Sequence, residues 1–446
     1  MEEQRENNKI EKTSDFMKET IKQRPLNRKK LVRRTIITAA MAVIFGLVAC
    51  VTFLLLEPVI SNQLYPKEEP KQIVFVEEAD KEILPEDMLV DESEMQPEMT
   101  EPPVLEDAQI EQVLSEMKLG IEDYLSLSGA VSEVARSVQN SVVKVVGITS
   151  DRDWFDNEYK SEDVISGVVI ADNGKELLIL AGIKSILDAE ALEIVFVNGD
   201  SYDAIIKEED YNTGLAVLSI TKSLIQEDTL RLAVPISMGT SSNINLPGNP
   251  VIAIGSPMGT ENSISMGMVT TSSSLINLPD SAYRQIGTDI YGSTTASGIL
   301  VNLRGQLIGV IDMSYNSNDM KNLISGIGIS DLKRLIECLS NDNEIAYLGI
   351  FGTDVTKEAN EEMQVPFGAY IKEINMDSPA MDAGIQSGDV IVQVGTTNIL
   401  SYQELIHQLL MLRPGTEIPM TLMRQGPEGY TPIEVTVTLG SQTKER

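Results

Sequence analysis

Proton transfer near neutral pH relies mostly on imidazole, and this chain of 446 residues has one histidine, His407. A Ser-His-Asp hydrolase needs a hydroxyl, an imidazole that takes and returns a proton, and a carboxylate that fixes the imidazole's tautomer. His407 lies in a stretch with helical spacing, on the more polar side with Gln403 and Glu404, and reads as a solvated surface residue. Two cysteines are available for thiol chemistry: Cys50 inside an uncharged run, and Cys338 in the amphipathic stretch Leu332–Leu339. They are not expected to pair, so no disulfide scaffold is expected, and Cys338 reads as a small buried hydrophobe. No His/Cys/Asp cluster has metal-ligand spacing, and there is neither a Gly-Lys-Ser/Thr phosphate loop nor a dinucleotide fingerprint. The sequence therefore calls for no metal and no cofactor.

The charge distribution places whatever chemistry remains. A net charge of −32 argues against a nucleic-acid partner, because such binding needs Lys and Arg to displace counterions from phosphates. Residues 1–34 are the exception, with 11 Lys+Arg against 6 Asp+Glu. Seven bases and no acid lie between Lys22 and Arg34, and the 22 residues from Thr35 to Leu56 carry no charge. About 20 apolar residues span the ~30 Å hydrocarbon layer, and a basic flank stays cytoplasmic. The run is too long for a signal-peptide core, so an uncleaved transmembrane helix over 35–56 is expected, with everything after it extracytoplasmic. Residues 57–128 hold twenty acids, four bases and seven prolines, the signature of an extended, solvated linker. Within 104–140, helical turns are expected because Val113, Met117, Ile121 and Tyr124 recur at helical spacing.

From about residue 140 the pattern changes to short β-branched runs between turn signals: Ser141–Ile148, Gly167–Ile170, Leu177–Leu180, Ile194–Val197, Ala216–Ile220 and Val251–Ile254. Many short strands of this kind favour a barrel or sandwich. Hairpins are expected at Asp172-Asn173-Gly174, Asn198-Gly199-Asp200 and Asn302-Leu303-Arg304-Gly305. The region reads as all-β until a helix at Ser330–Leu339. A second pattern follows Asn341, with strands at Tyr347–Phe351, Ala369–Ile374, Val390–Val394 and Ile418–Met423. Its helix, Tyr402–Leu412, carries a capping box at Ser401 and Glu404 and a core stripe of Leu405, Leu409 and Leu412.

This order of segments resembles the membrane-anchored HtrA family of trypsin-like proteases with a C-terminal PDZ domain, over roughly residues 138–441. The likeness rests on Asn140-Ser141-Val142-Val143, Ser166-Gly167-Val168-Val169-Ile170, Leu215-Ala216-Val217-Leu218, the run Val251 to Gly259, Thr288-Asp289 and Gly298 to Gly309. In the second module it rests on Tyr347-Leu348-Gly349-Ile350, the run Asp377 to Gly384, and Gly388-Asp389-Val390-Ile391. The resemblance implies a mainly β fold, a trypsin-like double β-barrel over 129–341 followed by an α+β PDZ domain over 342–442. It also implies that backbone N–H groups of Tyr347, Leu348, Gly349 and Ile350 hold a peptide's terminal carboxylate, while the next strand pairs with the peptide.

Laid on the family's pattern, the histidine position falls on Lys184, within Ala181-Gly182-Ile183-Lys184-Ser185. The aspartate position falls on Gly214, while Asp210, four residues earlier, matches another place in the pattern. The nucleophile's stretch falls on Thr294-Thr295-Ala296-Ser297-Gly298, which makes the nucleophile Ala296, or Ser297 with a one-residue gap. A threonine at 294, where the family has glycine, also disturbs the turn that forms an oxyanion hole.

The expectation is a catalytically silent, membrane-anchored relative that binds peptides or protein C-termini at the outer face of a bacterial plasma membrane, in envelope protein quality control. Two other readings stand beside it: a weakly active serine endopeptidase pairing Ser297 with Lys184, and an envelope scaffold that binds no peptide. The resemblance further implies a homo-oligomer, a trimer.

Overall fold

The computed structural model describes residues 36–48, 50, 52, 70–75, 120–152 and 158–442. Residues 1–69 and 70–446 form separate units. In the first, residues 36–48 are helical. Among the described residues no helix is long and apolar enough to cross a membrane. The run from Thr35 to Leu56 is described only in part, and the basic tail and most of 57–128 lie outside the described residues.

The second unit contains two closed barrels. Helix α1 (Ile121–Gln139) leads into the first. It begins inside the stretch read as linker, and it turns Val131, Val134, Ala135 and Val138 towards the barrels at the i, i+3, i+4, i+7 spacing of an amphipathic helix. Ile121 and Tyr124, which signalled helix in the sequence, are helical but exposed. The first barrel comprises β1 (Val142–Arg152), β2 (Glu158–Asp172), β3 (Glu176–Gly182), β4 (Ala191–Val195), β5 (Ser201–Asp210) and β6 (Leu215–Thr221), closed in the order β1-β2-β3-β6-β5-β4. Leu177, Ile179, Ile194, Leu218 and Ile220 fill its interior, alternating as strand geometry requires. After α2 (Glu227–Leu232), a helix absent from the all-β reading, come β7 (Pro250–Ser256), β8 (Ser263–Leu278), β9 (Ser281–Tyr291), β10 (Ser297–Val301), β11 (Leu307–Ile311) and β12 (Leu323–Gly328). They close in the order β10-β11-β12-β9-β8-β7.

Helix α3 (Ile329–Ser340) buries Leu332, Leu335, Ile336 and Leu339 in the core shared with the barrels, and its far end meets the last domain. That domain comprises β13 (Ala346–Tyr347), β14 (Ile350–Asp354), α4 (Lys357–Met363), β15 (Ala369–Ile374), α5 (Pro379–Asp382), β16 (Val390–Val394), β17 (Thr397–Asn398), α6 (Tyr402–Leu410), β18 (Glu417–Gly426), β19 (Gly429–Thr438) and β20 (Gly440–Ser441). Its main sheet runs β14-β15-β16-β18-β19, which leaves β14 on an edge facing α6. At the start of α6 the Ser401 hydroxyl accepts from Glu404 N–H at 3.1 Å, but the Glu404 carboxylate reaches back to Leu400 N–H at 2.7 Å. The capping box is thus displaced by one residue.

The linker reading needs a second correction. Residues 70–75, near the start of the acidic stretch, are fastened to the end of α3. Ile73 N–H donates to Asn341 Oδ1 and Asn341 Nδ2 donates to Ile73 O, both at 2.9 Å. The Asn341 side-chain amide thus stands in for a strand partner, and Ile73 and Phe75 pack against the core, so this short apolar segment is held.

Candidate functional site

Strands β3 and β6 pair with Gly182 opposite Leu215, which brings the residues just beyond them, Lys184 and Gly214, to the same mouth of the first barrel. Ile183 N–H donates to Gly214 O at 2.8 Å. Gly214 sits at φ 71°, and a β-carbon there would strike the methylenes of Lys184. The lysine ammonium lies 3.2 Å from Asp312 Oδ2, donates to the Tyr315 hydroxyl at 3.4 Å and stands 4.9 Å from that ring's centroid. A lysine acting as a base must be desolvated, whereas this side chain is 40% exposed and ion-paired. Asp210 offers no replacement carboxylate. It is buried, accepts from Thr213 N–H at 3.0 Å within its own turn, and burial raises its carboxyl despite the Thr213 hydrogen bonds.

The two nucleophile candidates are separated by the start of β10. Ala296 is buried in the core of the second barrel, and its N–H donates to Ser293 O at 3.1 Å, closing a turn over Thr294 and Thr295. Thr295 N–H donates to Ser293 Oγ at 3.1 Å. The amides of Thr295 and Ala296 are thus both engaged by Ser293 within this turn. Ser297 faces Ser256 of β7 in the ladder, and its hydroxyl accepts from Ser166 N–H of β2 at 3.0 Å, tying one barrel to the other. Lys184 and Ser297 thus each hydrogen-bond to different partners.

The loop between β13 and β14 has a different geometry. Gly349, at φ 86°, leaves no room for a β-carbon beside Ser378, and the bend aims successive amides at one point. That point holds the carboxylate of Asp280. It accepts from Leu348 N–H at 2.7 Å, Gly349 N–H at 2.9 Å and Ile350 N–H at 3.0 Å. Asp280's own N–H donates to Ile350 O at 2.8 Å. Tyr347 contributes its hydroxyl elsewhere, accepting from Asn375 Nδ2 at 2.8 Å. Asp280 belongs to the second barrel: with Pro279 it forms the two-residue turn between β8 and β9 and sits in the left-handed region at φ 52°. Along the edge of β14, Tyr402 of α6 donates from its hydroxyl to Ile350 O at 3.2 Å and from its N–H to Asp354 Oδ1 at 2.7 Å, with its ring against Gly352.

Sequence reasoning missed Asp280 and Tyr402. Pro-Asp between two apolar runs is a turn signal that was available. Where that turn's carboxylate goes is not a local property, since its partners lie 68–70 residues away.

His407 is not a solvated surface residue. It is half-buried on α6 beside α3, with Gln403 Nε2 3.4 Å from its Nε2, and burial followed by the Arg334 charge lowers its pKa. It belongs to the last domain and is no part of the Lys184 site. Cys338 is buried as expected. Its thiol is pushed up to about 11 by burial and lies 3.2 Å from Asn343 O. Among the described residues no group of three His, Cys, Asp or Glu could hold a metal ion.

Comparison with known proteins adds two domain matches. Residues 165–310 match the trypsin-like peptidase domain and residues 346–438 the PDZ domain. Serine endoprotease DegS of Escherichia coli (strain K12) is 26% identical over 280 residues, covering 60% of this chain and 75% of that protein. Serine protease Do-like HtrB of Bacillus subtilis (strain 168) is 25% identical over 325 residues, covering 66% and 69% respectively. Serine protease HTRA3 of Homo sapiens is 29% identical over 250 residues, covering 53% and 52%. The solved structure of HtrA-type protease AlgW with a decapeptide superposes with a TM-score of 0.50 at 18% identity, over 70% of this chain and 99% of that one, a likeness of fold.

Proposed function

The chain belongs to the HtrA-type family of trypsin-like proteases with a C-terminal PDZ domain, and from that premise we propose that it is a membrane-anchored pseudoprotease that binds peptide tails or partner proteins at the extracytoplasmic face, in envelope protein quality control. The observation that carries this reading is Lys184 lying across Gly214 with its ammonium on Asp312 and Tyr315. Where this fold performs proton transfer, the chain has a cation beside a residue without a side chain. Loss of a catalytic triad lowers turnover by on the order of 10⁴–10⁶. The Ala296 amide already donates to Ser293 O, which supports a loss of electrostatic help for an oxyanion as well.

Three converging N–H donors in the Leu348–Ile350 bend support carboxylate recognition, because such a nest suits a terminal carboxylate and β14 presents an edge for strand addition. The uncharged run from Thr35 to Leu56 behind its basic flank supports a single-pass anchor with a cytoplasmic N-terminus. By family resemblance the proposal extends to a trimer. The test is incubation of the full-length protein, in detergent micelles, with unfolded casein. The casein is expected to stay intact over hours; turnover that disappears in the Ser297→Ala variant would refute the reading.

A further inference from the structure

We propose that Asp280 is a built-in pseudo-ligand of the PDZ domain: its carboxylate occupies the site meant for a peptide's C-terminal carboxylate, so tail binding requires the β8–β9 turn to withdraw. The inference rests on the reading of the Leu348–Ile350 bend as a carboxylate site.

The mimicry extends to both halves of a terminal residue. A bound C-terminus presents a carboxylate to the nest and an N–H to the first carbonyl of the edge strand. Asp280 does both, accepting from Leu348, Gly349 and Ile350 N–H at 2.7–3.0 Å and donating its own N–H to Ile350 O at 2.8 Å. Tyr402 adds a second donor to Ile350 O, and its ring lies against Gly352. A peptide strand pairing with β14 at this point would meet a carbonyl already bonded twice.

The fastening looks built for exchange. Pro279 fixes one corner of the turn and Asp280 takes the left-handed corner, so the carboxylate is aimed by backbone geometry. Asn212 Nδ2 holds Pro279 O at 2.8 Å. Burial nevertheless pushes the Asp280 carboxyl up to about 6 against the pull of the three amides, a charge only partly compensated in its docked position. A peptide carboxylate entering the same nest would release that charge to water.

The experiment compares full-length protein with its Asp280→Asn and Asp280→Gly variants. Both replacements tolerate the left-handed turn, so a change in binding reports the lost carboxylate and not a broken hairpin. Two readouts are taken: binding of fluorescent peptides ending in a free carboxylate or an amide, and hydrogen exchange of the segment spanning Leu348 to Ile350. In both variants that segment is expected to exchange faster, and the free-carboxylate peptides to bind about tenfold tighter or more, as follows when a competent state goes from a minor to a major population. The amidated peptides are expected not to bind. Unchanged exchange, or equal peptide affinity in wild type and variants, overturns the pseudo-ligand. Faster exchange with no peptide binding in any form supports the Asp280 contact and defeats instead the reading of this domain as a tail binder.

Discussion

The side chain of Lys184 covers the α-carbon of Gly214 at the mouth of the first barrel, against the face where a β-carbon would stand. The contact is mutual. Lys184 can lie there because Gly214 has no side chain, and any side chain added at Gly214 would have to displace the lysine.

Restoring a carboxylate at this point is therefore expected to harm the protein. Gly214→Asp places a β-carbon at φ 71° and against the lysine methylenes, and should lower unfolding stability by about 1–3 kcal/mol without any gain in proteolysis. In a Lys184→Ala background the penalty should shrink, since only the backbone strain remains. Thermal unfolding of the double-mutant cycle measures this coupling, and equal penalties in the two backgrounds would disprove the contact.

Ser297 is expected to behave as a structural residue. Removing its hydroxyl leaves Ser166 N–H without an acceptor in the partly buried seam between the barrels, a loss of about 1–3 kcal/mol. Ser297→Ala should thus unfold at lower denaturant concentration while leaving peptide binding unchanged. Unaltered stability, measured by denaturant titration, would argue that this hydroxyl is free for other work.

Thiol reactivity gives a pH-dependent check on the join between α3 and the last domain. Burial raises the Cys338 thiol to about 11, so the neutral form is favoured throughout the physiological range and thiolate appears only as pH approaches that value. At pH 8 the thiolate fraction is about 10⁻³. Alkylation of Cys338 in the folded protein, followed by mass spectrometry, should be roughly a hundredfold or more slower than after denaturation. Modification at the rate of an unfolded cysteine would show that this join opens freely.

Much of the barrel was legible in the sequence because its strands are buried: β3 and β7 read as β-branched runs and appear at those places. Strands β8 and β9 went unnamed. Most of β8 is exposed or half-exposed and rich in Ser and Thr, so it carries no apolar run to announce it. The α1 start was blurred for a related reason: its first residues, Ile121 and Tyr124, are apolar yet exposed, and the true packing stripe begins later at Val131. At the candidate sites, positions 184 and 214 were singled out by the family resemblance, while the contact between them comes from the fold. The occupant of the Leu348–Ile350 nest did not, because a carboxylate reaching it from 68 residues upstream leaves no periodicity or motif behind.

A barrel without an activated serine is best examined by active-site titration of the full-length protein with a fluorescent fluorophosphonate. No labelling above that of heat-denatured protein is expected at pH 7–8, with Lys184→Ala and Ser297→Ala indistinguishable from wild type. Stoichiometric labelling that maps to Ser297 and is lost in either variant would contradict it.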